Sequence, residues 1–347
     1  MKARTYRPPA RRAAGLLAGT VALLALAAGV TACGGGDESG PLTIYSGREE
    51  ELVAPLFELY EKETGNEVEV RYGDSAELAA TILEEGDNTP ADVFFSQDAG
   101  ALGALGKEDR FSELDEDILG RVDERYRSRD GSWVGTSGRA RVIAYDSREL
   151  SESDLPDSVL DLAEPEWEGR VGWAPTNSSF QAFVTALRLT KGDDAAREWL
   201  EEMDANGTES FADNTSIRDA IAAGEIDVGL INHYYVAQAQ AEEGPGYPVE
   251  VYFPPGGDVG ALVNVAGAGV LAASGRQAAA SEFVAFLLSP RAQRFFAEET
   301  KEYPLIEGVE ADPAVVPLSE IEQPRIDLSN LDDLQGTLTV IEESGAL

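Results

Sequence analysis

The segment from Leu42 to Phe95 alternates short β-rich runs with amphipathic helical patterns, and this order constrains the fold more than any other feature of the sequence. Three runs have strand character and the two stretches between them have helical periodicity: 42–45, 67–72 and 92–95, with 52–64 and 75–85. Such a βαβαβ order is typical of a mostly parallel sheet with helices on both faces.

The same alternation returns in the second half of the chain. Helices are predicted over 193–206, 217–223, 277–288 and 291–299, and an apolar strand over 228–231. A length of 347 residues is typical of about two domains. We therefore predict an α/β protein with two lobes, each built on a mixed, mostly parallel sheet with flanking helices.

A basic and apolar leader precedes the part that is predicted to fold. Five basic residues between Lys2 and Arg12 come before an apolar stretch over 13–30, which ends in small residues just before Cys33, the only cysteine. This pattern resembles a bacterial lipoprotein signal, in which Cys33 becomes the lipidated first residue. We expect a signal peptide over 1–32, a lipidated flexible tether over 33–40 and an extracytoplasmic protein anchored to the cell membrane.

The charge balance and the reactive side chains exclude several classes of function. With 64 acidic and 27 basic residues the formal net charge is −37, which disfavours nucleic acid, because a phosphate backbone requires a basic surface. The chain beyond Cys33 has no thiolate for a metal site, and His233 is the only histidine that a catalytic base or zinc site could use. The glycine pattern over 267–272 lies inside an apolar run and is predicted as packed strand. No enzyme is therefore expected.

An aromatic and polar cluster follows the predicted strand 228–231. Tyr234 and Tyr235 lie at the carboxyl end of this strand, the edge where open α/β sheets bind ligands. A second strand, over 137–145, carries Arg139, Arg141 and Tyr145 on one face by its period of two. A polar loop over 167–180 adds further hydroxyl and amide groups, and the sequence thus predicts a polar binding site with tyrosines and arginines.

At these motifs the sequence resembles the ferric-iron-binding, substrate-binding proteins of bacterial ABC-type uptake systems. The resemblance covers nearly all of residues 41–310, and its most specific part is the Tyr-Tyr pair after Gly-Glu-Ile-Asp at 224–227. It implies a type II periplasmic-binding-protein fold whose two lobes are joined by crossing hinge strands. The lobes would comprise 41–138 with 266–312, and 139–265 with 313–347.

The resemblance also implies a ligand set. Tyr234 and Tyr235 would bind Fe(III), Tyr145 matches a third tyrosine ligand of some members, and Glu49 stands where some members have a histidine ligand. A glutamate ligand of those members is here Gln97, a poorer neutral donor. A synergistic anion, carbonate, phosphate or citrate, would be held by candidates that carry cationic, hydroxyl, amide or backbone donors: Ser137, Gly138, Arg139, Arg141 and Asn177.

The chemistry of phenols independently favours a trivalent ion. Ionising a phenol of pKa near 10 at pH 7 costs about 4 kcal/mol, which weakly polarising Ca²⁺ or Mg²⁺ would not offset at several tyrosines. A hard, highly charged cation favours the phenolate. We therefore expect a monomeric receptor that captures ferric iron outside the cell and delivers it to an ABC permease and its ATPase.

Two alternatives stay open. A protein of the same fold could bind an anionic or organic small molecule, such as phosphate, phosphonate or a thiamine-like compound, through Arg139 and Arg141. An exported enzyme built on similar lobes could use His233 or carboxylates.

Overall fold

The computed structural model describes residues 40–244 and 246–347. In these residues we find ten β-strands and eleven α-helices, with short 3-10 turns between them. The predicted signal peptide over 1–32, the predicted lipidation site Cys33 and nearly all of the predicted tether lie outside the described residues. No helix of the described part is long and apolar enough to pass through a membrane.

The strands are short except for one that runs through the middle of the molecule. They are β1 (Leu42–Ser46), β2 (Val68–Tyr72), β3 (Val93–Ser96), β4 (Val134–Asp146), β5 (Val171–Trp173), β6 (Glu209–Ser210), β7 (Val228–Asn232), β8 (Val249–Tyr252), β9 (Val263–Val270) and β10 (Tyr303–Pro304). The helices are α1 (Glu50–Thr64), α2 (Ser75–Glu85), α3 (Ala99–Lys107), α4 (Glu116–Leu119), α5 (Ser178–Lys191), α6 (Asp193–Ala205), α7 (Asn214–Ala223), α8 (His233–Glu243), α9 (Gln277–Leu287), α10 (Pro290–Phe295) and α11 (Leu334–Glu343).

The strands form one sheet of two halves that share β4. Its order is β2-β1-β3-β9-β4-β7-β5-β6, and β8 and β10 also pair with β4. The first part of β4, Val134–Ala140, pairs with β9, whereas its second part, from Arg141 to Tyr145, pairs with β7. Strand β4 therefore connects the two halves.

The two halves have parallel outer strands and an antiparallel centre. Strands β2, β1 and β3 are mutually parallel, as are β6, β5 and β7. The pairs that involve β4 or β9 are antiparallel. Because the parallel strands of each half share a direction, their carboxyl ends meet at one edge, and the loops that follow them lie together.

Local sequence signals account for many element boundaries. Helix α2 begins after Asp74, whose carboxylate accepts hydrogen bonds from the amides of Ala76 and Glu77 at 2.8 and 3.3 Å. Helix α1 ends at Gly65, whose φ of 76° lies in the left-handed region. The predicted helix over 75–85 matches α2 at both ends.

Two segments differ from the sequence prediction. Within the polar loop predicted over 167–180, Val171–Trp173 forms strand β5, which pairs with β7 and β6. A strand of three residues is too short to show a recognisable alternation in the sequence. The helix predicted over 291–299 is α10 followed by a π-helical turn over Phe296–Thr300, which ends at Lys301 with a φ of 59°. This turn presents backbone carbonyls to α8, as described below.

Candidate metal centre

A cleft of about 330 Å³ is lined by loops from both halves of the sheet. The first half contributes the residues after β1, the end of β2 with its following loop, and Gln97 after β3. The second half contributes the start of α5, the end of β7 and the start of α8. The cleft thus forms where the carboxyl ends of the parallel strands meet.

Two adjacent phenols occupy one wall of the cleft. Tyr234 and Tyr235 lie in the first turn of α8, directly after β7, and their rings are stacked with centroids 4.3 Å apart and an interplanar angle of 29°. Burial is the main cause that raises the pKa of Tyr235; the neighbouring Tyr234 and Glu49 raise it further, and the positive charge of Arg139 opposes them. A cation bound between these oxygens would reverse this effect.

His233 fixes the start of α8 and is not part of the cleft lining. Its side chain is buried; Nδ1 accepts the amide hydrogen of Ala140 at 3.1 Å, and Nε2 lies 3.0 Å from the carbonyl oxygen of Lys301. The Nε2–H tautomer therefore satisfies both partners. Burial lowers the pKa of His233 to about 4, so the ring is neutral at pH 7. It holds the tyrosine pair against β4 and the π-helical turn.

The opposite wall carries oxygen donors from the first half. Glu49, the residue before α1, and Tyr72, the last residue of β2, both line the cleft. Burial, with a smaller contribution from Glu50, raises the pKa of Tyr72. Tyr72 lies outside the sequence motifs that predict the site, although it has the same signal as Tyr234, a tyrosine at the carboxyl end of a predicted strand.

Arg139 provides a positive charge at the base of the cleft. Its side chain is only 3% exposed, yet among the described residues no ion pair or side-chain hydrogen bond is found for it. Asn177, Ser178 and Ser179 lie next to it at the N-terminus of the 14-residue helix α5. A buried guanidinium without a partner and a helix N-terminus both favour an anion at this place.

Arg141, Ser137 and Gly138 have other roles in the structure. Arg141 is outside the lining of the cleft; it donates to the carbonyl of Leu230 at 2.6 Å and to Asn214 and Ser179 at 3.3 Å, and burial lowers its pKa to about 9. The hydroxyl of Ser137 donates to Glu302 at 2.7 Å. Gly138 pairs with β10. Of the five predicted anion-holding residues, only Arg139 and Asn177 line the cleft.

Glu302 forms a fully buried ion pair beside the cleft. Nη2 of Arg48 lies 2.9 and 3.1 Å from its two carboxylate oxygens, and both side chains have no exposed surface. Because Arg48 directly precedes Glu49, this pair ties the loop after β1 to the segment after the π-helical turn.

Tyr145 is not brought to the cleft, which corrects the expectation that three tyrosines of the sequence motif lie together. It pairs with Val228, at the start of β7, whereas Asn232, at the end of β7, pairs with Arg141. Tyr145 lies six residues beyond Arg139 along β4, a distance of about 20 Å at roughly 3.3 Å per residue. The strand period of two places the side chains of Arg139 and Tyr145 on one face of β4, but a shared face does not bring them close together.

The two residues after β3 differ in role. Gln97 lines the cleft, and its Oε1 is buried without a hydrogen-bond partner among the described residues. Asp98 is instead the cap of α3, where it accepts the amide of Ala101 at 3.1 Å, and burial raises its pKa. Only Gln97 is placed to contact a ligand in the cleft.

The donor set suits a hard cation. In residues 40–244 and 246–347 no group of three or more His, Cys, Asp or Glu could hold a metal ion. The cleft instead brings together three phenols, Tyr72, Tyr234 and Tyr235, with Arg139 nearby. It also has two carboxylates, Glu49 and Asp74, of which Asp74 already caps α2. Oxygen donors of this kind, with a cation to hold a counter-anion, fit a small trivalent ion better than a soft metal.

Comparison with known proteins shows a similarity to bacterial solute-binding proteins. The model of the bacterial extracellular solute-binding proteins matches residues 88–330. The chain is 34% identical to the Fe(3+)-binding periplasmic protein of Serratia marcescens over 88% of its own length and 90% of the relative's.

Solved structures agree with this similarity. Iron-bound HitA from Pseudomonas aeruginosa superposes with a TM-score of 0.82 at 32% identity, over 88% of this chain and 99% of that one. Trichodesmium IdiA (FutA) in complex with iron and citrate gives a TM-score of 0.78 at 28% identity, with the same coverage. The predicted fold, a two-lobed type II periplasmic-binding-protein fold with mixed sheets, is confirmed.

Proposed function

Because the chain belongs to the family of bacterial extracellular solute-binding proteins, we propose that it is an extracytoplasmic receptor for ferric iron, with Tyr234 and Tyr235 as phenolate ligands. The observation that carries the proposal is the stacked pair of phenols, whose ring centroids are 4.3 Å apart, in a cleft that Glu49 and Tyr72 also line. The relatives named above, which bind Fe³⁺ or contain iron, support the choice of metal.

The proposed ligand set differs from the one suggested by the motifs alone. Tyr234 and Tyr235 come from the second half of the sheet, and Glu49 and Tyr72 from the first half, so a bound ion would connect the two halves. Tyr145 is left out, because it lies at the far end of β4. A hard trivalent ion offsets the ionisation of phenols that burial otherwise keeps protonated.

A synergistic anion would complete the coordination of the iron. Arg139 and the start of α5, from Asn177 to Ser179, are the groups that we propose to hold it. Carbonate, phosphate and citrate all present oxygens that a guanidinium and helix amides can bind while other oxygens face the metal.

We propose that the receptor delivers iron to an ABC permease and its ATPase, and membership of the extracellular solute-binding family supports this partner. We further propose that the leader over 1–32 is cleaved and that a lipid at Cys33 anchors a monomeric receptor to the cell membrane. Acyl chains on Cys33 would be detected by mass spectrometry of the membrane-extracted protein, and their absence from Cys33→Ala would identify the site.

The site is tested by loading the purified chain with ferric citrate and measuring iron content and visible absorbance after desalting. We expect about one iron per chain and a tyrosinate-to-iron charge-transfer band. Tyr234→Phe with Tyr235→Phe should abolish both, and the matched control Tyr145→Phe should leave them unchanged. A colourless, iron-free protein that remains folded would refute the proposal.

The unpartnered guanidinium of Arg139 favours one second candidate, a receptor for an anionic small molecule that binds without iron. Stabilisation of the iron-free protein against heat by phosphate, phosphonate or a thiamine phosphate would support it. If such stabilisation survives in the Tyr234→Phe, Tyr235→Phe variant while iron loading fails in the native chain, this candidate replaces the first.

A further inference from the structure

A large cavity lies apart from the metal cleft. It measures about 900 Å³ and lies between the segment that follows α4, the turn at Gly256 and Gly257, and the C-terminal segment over 322–328. Its lining includes Val263 of β9. Val263 pairs with Ala140, the neighbour of Arg139 on β4, and adjacent residues of a strand point to opposite faces. This rear cavity therefore lies on the face of β4 and β9 opposite to the side chain of Arg139.

Arginines are concentrated around the rear cavity, although the chain carries a net charge of −37. Four guanidiniums line it, those of Arg125, Arg127, Arg129 and Arg325. Arg125 and Arg129 already pair with Asp123 and Asp327, at 3.1 and 2.9 Å. Within the described part of the chain, Arg127 and Arg325 have no acidic partner within 4.0 Å and donate no side-chain hydrogen bond.

The acidic residues that line the rear cavity form no ion pair with these two arginines. Asp327 is occupied by Arg129, and Glu322 accepts the backbone amide of Gly256 at 2.5 Å. Glu124 is the remaining carboxylate in the lining, and it is exposed to solvent. The guanidinium donors of Arg127 and Arg325 are thus not taken up by an ion pair within the described residues and are available to a ligand.

Several apolar side chains lie between the arginines. Tyr126 and Leu262 are buried at the floor, and Ile326 lies on the C-terminal segment. A cavity that combines apolar side chains with a few charged groups suits an organic ligand. Guanidinium forks bind carboxylates in a bidentate manner, and the two available forks match a ligand with at least two carboxylates.

We propose that the rear cavity is a second binding site, for an organic polycarboxylate held by Arg127 and Arg325, distinct from the iron site. The ligand would contact the crossing strands at Leu262 and Val263 through its carbon skeleton. Because it binds only the folded protein, it should raise the midpoint of thermal unfolding, and the rise should continue with the logarithm of the ligand concentration above Kd.

The test measures binding of tricarballylate, a tricarboxylate without the hydroxyl that strengthens iron chelation, to the iron-free, purified full-length protein by titration calorimetry. Arg127→Gln with Arg325→Gln should lower the affinity at least about tenfold, because two charge-assisted hydrogen-bond donors are lost. Arg325→Lys, which keeps the charge but loses the fork, should cause a smaller loss. Lys62→Gln with Lys191→Gln, which changes two exposed lysines outside the cavity, is the matched control and should alter the affinity less than about twofold.

The Tyr234→Phe, Tyr235→Phe variant separates this proposal from the iron proposal. Tricarballylate should bind it as tightly as the native chain, whether or not iron binding is lost. Absence of binding at about 10 mM ligand would overturn the proposal, because a dissociation constant above this concentration is far weaker than specific recognition requires. So would an unchanged affinity in the arginine variant, or inorganic phosphate binding as tightly as the tricarboxylate, because a lone anion would not need the apolar side chains.

Discussion

The dependence of iron binding on pH tests the proposed phenolate ligands most directly. A phenol ordinarily has a pKa near 10, and burial raises the pKa of Tyr235 further, so iron-free Tyr235 stays protonated throughout the range from pH 5.0 to 7.5. Each phenol that binds iron as phenolate must release its proton, whereas carboxylates, with ordinary pKa values near 4, release almost none.

The expected magnitude follows from the number of phenolates. With Tyr234 and Tyr235 as ligands, about two protons leave per iron, and the logarithm of the association constant rises by about two for each pH unit. Between pH 7.5 and 5.0 the affinity should therefore fall by roughly 10⁵-fold, or about 7 kcal/mol at 1.36 kcal/mol per unit and proton. Participation of Tyr72 would increase the number of protons to about three.

The assay is competition with a chelator whose own iron affinity is known at each pH, together with direct measurement of proton release in weakly buffered solution. Tyr235→Phe should lower the slope by about one, and Tyr145→Phe should leave it unchanged. The reasoning would be refuted by an affinity that is the same at pH 5.0 and 7.5, or by a slope that Tyr235→Phe does not alter.

Three further predictions follow from the cleft and from the packing of the first half. Replacing Arg48 by Met leaves the fully buried carboxylate of Glu302 without its cationic partner, and the free energy of unfolding measured in guanidinium chloride should fall by about 3–5 kcal/mol; an unchanged midpoint would contradict the importance of this pair. Glu49→Gln should weaken iron binding on the order of tenfold in the competition assay, since one anionic donor of the cleft is lost, while Glu51→Gln, on the exposed side of α1, should not. Gly103→Ala in α3 would place Cβ 2.2 Å from the carbonyl oxygen of Ser329, and thermal unfolding should show a destabilisation of about 1–3 kcal/mol rather than the gain expected of Ala in a helix.

Much of the first half of the sheet could be predicted from the sequence because its signals are local. The predicted helix over 75–85 is reproduced as α2, and the strand over 42–45 differs from β1 by one residue. In both cases hydrophobic periodicity and the capping residue Asp74 act over a few neighbouring residues. Strand β5 and the π-helical turn after α10 depend on partners that are distant in sequence, and no hydrophobic periodicity predicts either of them.

The site shows the same division between local and long-range information. The pair Tyr234 and Tyr235 could be placed at a ligand-binding edge because both follow a clear apolar strand directly. Tyr72 follows the same rule but on a strand of alternating exposure, β2, which the motif did not include. The motif predicts that Ser137 and Gly138 hold an anion together with Arg139. In the fold, however, Ser137 donates its hydroxyl to Glu302 and Gly138 pairs with β10, and both partners are distant in sequence.

The arginines bear on how so acidic a chain would retain the proposed anion beside the proposed metal. A net charge of −37 repels anions at long range, but surface charges are screened within about 8 Å at physiological ionic strength, and a buried guanidinium is not. Arg48 is already neutralised by Glu302, whereas Arg139, at 3% exposure, lacks an ion pair among the described residues. Its charge is therefore the one available to an anion in the cleft, and Arg139→Gln should weaken iron binding more when carbonate is the sole anion than when a chelating citrate binds the metal by itself.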